Sequence, residues 1–356
     1  MRPGRKLRIA QLSSLWTPIP PLAYGGIERV MKLLIDELVA RAHHVTLFSS
    51  ADCTTAAALH PVCEMNLTEL TAANRAYLFE YYANSMVAEV LQQAADFDII
   101  HYHVGTAWIP FAALSPTPSL FTLHTSPTVD DEWIFRRWPG VPVAGISRRQ
   151  MHGPGLRLGR NFPVVANACD FDAFDPSYER GEYLAFLGRM GPGKNPLDAI
   201  RIAHAAGMPL VLAGQPQNGP EEIYFAEQIK PLIDGEVVRW IGPVNHAQKN
   251  ELLRHAAALL FPIQWDEPFG LVMIEAMACG TPVLAHRRGS VEEVVDDGIT
   301  GFHAGVMDAL VELVPRVLQL DRRTVREHAR ARFGHHRMVD EYLALYASLL
   351  QRDRKG

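Results

Sequence analysis

The segment Asp266-Glu267-Pro-Phe-Gly-Leu-Val-Met-Ile-Glu275-Ala-Met-Ala-Cys-Gly-Thr-Pro-Val283 places two carboxylates around the start of a helix. A strand is predicted to end near Pro262, a loop to carry Glu267, and a helix to begin near Gly270. The first N–H groups of a helix have no partner within it, and the helix dipole is positive there, so an anion is favoured at that point. Glu267, in the loop before the helix, could reach a neutral polyol beyond the anion. Glu275 lies about one and a half turns inside and could accept two hydroxyls of a ribose. Two carboxylates straddling a phosphate-binding helix end describe a nucleotide-sugar site. The flanking Pro-Phe-Gly-Leu and Ala-Cys-Gly-Thr-Pro-Val set aside the plainer reading of Glu267 as a helix-start charge and Glu275 as a solvated residue.

A second segment, Phe186-Leu-Gly188-Arg189-Met-Gly-Pro-Gly-Lys194-Asn-Pro196, follows a predicted strand and precedes a predicted helix. Gly188 through Lys194 matches the G-x-x-x-x-G-K core of a P-loop. A P-loop needs Ser or Thr next, to hold Mg²⁺, and here Asn195 and Pro196 follow. The P-loop reading is therefore rejected, and the charge logic survives: Arg189 and Lys194 are two cations placed to neutralise a diphosphate. In Tyr24-Gly25-Gly26-Ile27-Glu28 two glycines would let a phosphate approach the backbone at a helix start, or form a plain turn. No G-x-G-x-x-G occurs there, which disfavours a nicotinamide or flavin dinucleotide.

His124 ends the run Ser119-Leu-Phe-Thr-Leu-His124. A histidine at a strand end can donate to or orient a substrate hydroxyl, although a chain with 15 histidines has structural ones too. His101 and His103 alternate along one strand and share a face; no third ligand at readable spacing makes them a metal site. Asp96-Phe-Asp98 and Asp170-Phe-Asp172 each read as D-x-D, a metal-binding pattern in some sugar transferases. The first is read as a turn and the second as part of a connector, and neither is expected to hold a metal.

These residues need strand ends to carry them. Apolar runs rich in Val, Ile and Leu recur at Leu7–Ser13, His44–Ser50, Asp98–His103, Ser119–His124, Val141–Ser147 and Pro163–Ala168. The rhythm continues at Tyr183–Gly188, Pro209–Gly214, Glu236–Gly242, Ala257–Pro262 and Pro282–His286. Runs without polar alternation imply parallel strands covered by helices on both faces. Ile27, Val30, Met31, Leu34 and Leu38 form one helical stripe, and Met338, Tyr342, Leu345 and Leu349 another near the end. The segment 168–181, with its Pro and Gly, breaks the rhythm and marks a domain boundary.

The chain has 356 residues, enough for two such domains facing across a cleft, where ligands commonly bind. Its net charge of -5 argues against a protein that works by neutralising nucleic-acid phosphates. Cys53, Cys63, Cys169 and Cys279 form no C-x-x-C pair, which fits free thiols in a reducing cytoplasm better than disulfides or structural zinc. No run approaches a membrane span, and the basic start at residues 1–6 leads into a strand rather than a signal sequence.

Taken together, these motifs resemble the retaining glycosyltransferases of family 4. The resemblance runs from Leu7 to the final helix and is strongest over 267–301, where Glu267 and Glu275 match the E-x7-E signature and 297–302 matches a family turn. It implies the α/β fold called GT-B, with two Rossmann-like doubly wound parallel-sheet domains. Residues 1–170 would bind the acceptor and 171–335 the nucleotide-sugar donor, with 336–356 a helix packing back toward the first domain. It implies that Arg189 and Lys194, beside Gly188, hold the donor diphosphate. Backbone amides of Phe269, Gly270 and Leu271 would meet phosphate and sugar, Glu267 would bind sugar hydroxyls, and Glu275 the ribose. Gly25 and Gly26 would approach the phosphate, and His124 would touch the transferred sugar. The catalytic group would be Glu267, His124, Arg189 and Lys194.

The resemblance further implies no cofactor and no metal, because cations and helix ends stand in for Mg²⁺ at the leaving diphosphate. Retention would come from same-face attack. A UDP-sugar is the expected donor and a GDP-sugar the next choice; the acceptor is a saccharide, lipid-linked or small-molecule hydroxyl. A non-catalytic nucleotide-sugar-binding protein and a GT-B epimerase are the alternatives. No nucleic-acid partner is expected; a weak peripheral membrane contact, and a monomer or homodimer, fit the chain. Asn195 stands where the family usually has Gly, and Asn167-Ala168-Cys169-Asp170 where it has Asn-Gly-Val-Asp. Trp16, Tyr24, Trp108, Trp133 and Trp138 are candidates to stack on an acceptor, and Arg136-Arg137 and Arg148-Arg149 to meet an anionic one.

Overall fold

The computed structural model describes residues 5–21, 25–152 and 161–353. The chain forms two compact units, Met1–Ala168 with His335–Gly356, and Cys169–Gly334.

The first unit runs β1 (Arg8–Leu12), α1 (Gly26–Ala40), β2 (His44–Ser50), β3 (Ala58–Cys63), α2 (Leu67–Ala72), α3 (Phe79–Gln92), β4 (Ile99–Tyr102), α4 (Ile109–Ala112), β5 (Ser119–Thr122), α5 (Val129–Arg137), β6 (Val143–Ala144) and α6 (Arg148–Met151). The second runs β7 (Tyr183–Leu187), α7 (Pro196–Ala206), β8 (Leu210–Ala213), α8 (Gly219–Tyr224), β9 (Val238–Trp240), α9 (His246–Arg254), β10 (Ala256–Phe261), α10 (Leu271–Ala278), β11 (Val283–His286), α11 (Val291–Val294), β12 (Gly301–Ala304), α12 (Met307–Val317) and α13 (Arg322–Phe333). The last helix, α14 (His335–Asp353), belongs to the first unit.

Both sheets are parallel and share one order. The first is β3-β2-β1-β4-β5-β6 and the second β12-β11-β10-β7-β8-β9, which places each unit's first strand beside its fourth. This is the doubly wound Rossmann arrangement, whose ligands bind beyond the carboxyl ends of the strands where the order reverses. Those points are β1/β4 in the first unit and β7/β10 in the second. The central strands are buried along their whole length, β4, β5, β8 and β10 among them, as uninterrupted apolar runs require.

Edges differ from expectation. The run 163–168 forms no strand, only an isolated bridge from Val164 to Gly145. The run 236–242 shortens to β9, where Arg239 and Trp240 are exposed. Conversely, β3 was not apparent in the sequence, and β12 begins within what reads as a turn. An edge strand is covered on fewer sides, so it has no continuous apolar run to reveal it. In α1 the buried stripe is Val30, Met31, Leu34, Ile35 and Leu38; Ile27 is only half-buried.

Helix α14 buries Met338, Val339, Tyr342 and Tyr346. Its start meets the end of α1, where Glu37 takes Arg41 at 2.7 Å and His336 at 2.8 Å while Arg41 also pairs with Asp340. Helix α13 clasps the second unit with two buried arginines. Arg322 donates to the carbonyls of Ser177, Ala256 and Arg254 at 2.7, 2.6 and 2.8 Å. Arg326 donates to the carbonyls of Phe171, at 2.6 Å, and Ala278, the last residue of α10. No helix among the described residues is long and apolar enough to cross a membrane.

Candidate functional site

In the second unit the loops that leave β7 and β10 carry the expected residues to the reversal point. The β7 loop begins where Gly188 N–H donates to Ala213 at 3.1 Å and Met190 N–H to Gln215 at 3.2 Å. Gly214 (φ +125°) lies so close that a Cβ there would stand 1.9 Å from the Gly188 carbonyl oxygen. Gly214→Ala is accordingly expected to cost at least about 2 kcal/mol and to displace Gly188, measured by urea denaturation; a loss under about 0.5 kcal/mol would contradict this packing.

The loop ends at Asn195, whose φ of +59° is left-handed. That conformation explains why glycine is usual at this position, and asparagine is among the residues that tolerate it. The side chain adds contacts that glycine cannot make. Its Oδ1 caps α7 by accepting from Asp198 N–H at 3.3 Å, and its Nδ2 donates to the Pro262 carbonyl at 3.1 Å, joining this loop to the end of β10.

Lys194 projects beside that joint. Its ammonium pairs with Glu267 and lies 5.6 and 5.5 Å from the Phe261 and Trp265 ring centres, with side chains only 14% and 12% exposed for the pair. Glu267 is held through its backbone. Its carbonyl accepts from Ser290 N–H at 2.9 Å, and Gly289 (φ +56°) packs where a Cβ would come within 2.3 Å of Glu267 N and O. Ser290 Oγ in turn donates to Phe269 at 2.7 Å. Phe269, Gly270 and Leu271 form the start of α10, with Gly270 at φ +81° as its N-cap. Arg189 forms a second pair, 3.2 Å from Glu221, which is itself fixed by accepting from Gln217 N–H at 2.9 Å.

Glu275, within α10, pairs with Lys249 of α9, whose ammonium also faces the Phe174 ring at 5.3 Å. The structure thus brings Lys194, Glu267 and the α10 start together, and adds Lys249 and Glu221, which sequence reasoning missed. Lys249 sits on a helix that is mostly polar, so it reads as a solvated charge. The one signal was its place beside Asn250, Leu252 and Leu253, the buried face of α9. Both carboxylates therefore carry a counter-ion yet keep lone pairs for hydroxyls.

In the first unit, Gly25 has an extended backbone, and a Cβ on it would come within 2.5 Å of Pro21 and 2.9 Å of Glu28 Oε2. Gly26 is the first residue of α1, and Tyr24 lies outside the described residues. Glu28 is buried beneath this turn, and burial raises its pKa.

His124 stands two residues beyond β5, and its Nε2 is 2.9 Å from Nδ1 of His103. Burial pulls the His124 pKa down to about 4 and those of His101 and His103 well below the usual value. All three rings are neutral at pH 7. Trp16 stacks on Phe79 at 5.4 Å and is partly exposed, and Trp133 is exposed. Trp108 is buried in the core and Trp138 packs against it, which makes them framework rather than stacking platforms. Arg136 pairs with Glu132. The D-x-D aspartates are occupied locally: Asp98 binds Arg5 at 2.6 Å, and Asp172 binds Arg330 at 2.8 Å.

Comparison with known proteins identifies the family. A family model described as glycosyl transferases group 1 matches residues 170–333, and one described as Glycosyltransferase Family 4 matches residues 24–158. The chain belongs to glycosyltransferase family 4. This glycosyltransferase is similar to glycogen synthase of Mycobacterium tuberculosis (strain ATCC 25618 / H37Rv), at 26% identity over 345 residues and 81% of each chain. It is 27% identical over 334 residues to D-inositol 3-phosphate glycosyltransferase of Mycobacterium bovis (strain BCG / Pasteur 1173P2), spanning 78% of this chain and 68% of that one. Among solved structures it resembles AviGT4, a glycosyltransferase involved in avilamycin A biosynthesis, with 28% identity, a TM-score of 0.71 and coverage of 97% and 98%. HepE of Anabaena, in complex with UDP, shares the GT-B fold at a TM-score of 0.73, 19% identity and coverage of 96% and 100%.

Proposed function

We propose that this glycosyltransferase moves a hexose from a UDP-sugar, or failing that a GDP-sugar, to a hydroxyl acceptor, with retention and without a metal. The observation that carries the reading is the Lys194–Glu267 pair between the β7 loop and the start of α10, with Lys249–Glu275 further along that helix. A diphosphate arriving there competes with Glu267 for the Lys194 ammonium. The carboxylate so released accepts sugar hydroxyls, while Arg189, Lys194 and the α10 amides offset the charge growing on the leaving group. These groups supply the positive charge a divalent cation would otherwise provide. Glu275 takes the ribose; in the first unit, His124 and the Gly25-Gly26 turn have the roles that the family resemblance implies, at the transferred sugar and the phosphate. A uridine donor is supported by HepE, whose structures hold UDP and UDP-glucose. The reading includes a cytoplasmic setting, supported by the free thiols Cys53, Cys63, Cys169 and Cys279.

Calorimetric titration with UDP and with UDP-glucose, in EDTA, tests these roles. Glu275→Ala is expected to weaken UDP itself by about 1–3 kcal/mol. Glu267→Ala is expected to spare UDP and weaken only the intact donor. Equal losses for both ligands in both variants would overturn the assignments.

A further inference from the structure

A buried chain of hydrogen bonds runs from His124 to the last helix through side chains the proposed chemistry leaves unused. His124 Nε2 meets His103 Nδ1 at 2.9 Å, and His103 Nε2 meets Gln11 Oε1 at 2.9 Å. Gln11 Nε2 meets the Tyr346 hydroxyl at 3.3 Å, and that hydroxyl meets His101 Nδ1 at 2.6 Å. His101 Nε2 reaches Thr122 Oγ1 at 2.7 Å, and Thr122 reaches Tyr342 at 3.2 Å. The members come from β1, β4, β5, the residues just beyond β4 and β5, and α14, all within the first unit, at its β1/β4 reversal point.

In such a chain each hydrogen bond holds one proton, and a neutral imidazole or an amide donates from one end and accepts at the other, so fixing one direction fixes all. A phenol is a better donor than an imidazole N–H and a poorer acceptor than an imidazole nitrogen. The short contact is therefore Tyr346 O–H donating to His101 Nδ1. The Tyr346 oxygen then accepts from the Gln11 amide N–H, which turns Oε1 of Gln11 toward His103. His103 must donate from Nε2, which leaves its Nδ1 as an acceptor, and His124 must donate from Nε2. Beyond His101, its Nε2–H donates to Thr122, whose oxygen also has room for the Tyr342 hydroxyl. No bond in the chain is left without a proton or with two. Nδ1 of His124 has no hydrogen-bond partner among the described residues.

We propose that His103, Gln11 and Tyr346 are positioning residues that hold His124 in its Nε2–H tautomer, with Nδ1 as a lone-pair acceptor for a substrate hydroxyl. The last clause rests on the role given to His124 above; the tautomer does not. A hydroxyl meeting His124 must then donate to the ring rather than accept from it. Burial keeps all three rings neutral, so no extra proton blurs the direction. Through Tyr346, α14 sets the state of a residue on a different element.

Long-range ¹H–¹⁵N correlation spectra of ¹⁵N-histidine-labelled protein read the tautomer directly. The wild type is expected to show His124 protonated at Nε2. Tyr346→Phe, nearly isosteric, frees the Gln11 amide to turn over. It is expected to give a mixture of His124 tautomers and roughly a three- to tenfold loss of kcat/KM, with UDP affinity unchanged. Gln11→Glu keeps an acceptor for His103 and should keep the His124 tautomer, which separates direction from packing. An Nδ1–H tautomer in the wild type, or the wild-type tautomer persisting in Tyr346→Phe, overturns the proposal. If His124→Ala leaves turnover unchanged, the substrate role of His124 falls, while the spectra still decide the tautomer.

Discussion

Replacing Lys194 by methionine is expected to lower kcat by about 10²–10³-fold, the size of effect seen when a charge-stabilising group is removed from a transition state. The same change strands Glu267, a carboxylate only 12% exposed, without its counter-ion. A stability loss of roughly 2 kcal/mol should accompany it, since a poorly solvated carboxylate is left unpaired. The two effects separate in the double variant Lys194→Met, Glu267→Gln. Removing both charges is expected to restore stability to within about 1 kcal/mol of wild type, because no lone charge remains, while turnover stays low. Recovery of turnover in the double variant would reduce the pair to a structural ion pair and remove Lys194 from the chemistry.

Lowering the pH from 7 to 5 is expected to destabilise the protein, by about 2 kcal/mol through His124 and further in the same direction through His101 and His103. Their folded-state values are depressed by burial, to about 4 for His124 and well below 6.5 for the others. The unfolded chain, titrating near 6.5, therefore takes up protons in this window that the folded chain refuses. Stability is fully present above the unfolded value and falls as pH drops toward 4. Glu28 works in the opposite sense: burial raises its pKa, so the folded chain holds that proton to higher pH, offsetting at most one of the three. Urea midpoints measured across this range should fall as the pH drops below 6.5, reporting net proton uptake on unfolding; midpoints that stay level from pH 7 to 5 would mean the histidine cluster is solvated.

How much of this was legible in the sequence depended on the kind of signal. The central strands announced themselves because a strand covered on both faces must be apolar throughout, as in 256–261. Residues at strand ends and helix starts were also readable, since glycines, prolines and charges cluster there for physical reasons: Gly188, Lys194, Glu267 and Gly270 stand together as read. Partners were not. Lys249 and Glu221 look like surface charges, and only tertiary folding shows that each neutralises a group already singled out. The pairing of Gln11, His103 and Tyr346 is more hidden still, because it joins positions 92 and 335 residues apart. Asn195 shows the reverse case, where a departure from the family pattern proved conservative once its left-handed backbone was seen.

The boundary at 168/169 has a consequence for how such chains can be assembled. Cys169 donates its N–H to Phe333 at 2.9 Å and bridges Gly334, so the second unit begins and ends at the same spot. A module whose ends are neighbours can be exchanged as one uninterrupted stretch of gene, with only two junctions to rebuild. Because α14 returns to the first unit, the exchange leaves that unit's own packing, Tyr346 included, as it was. On the proposed roles, donor preference and the state of His124 would then be inherited separately, through different segments of one reading frame.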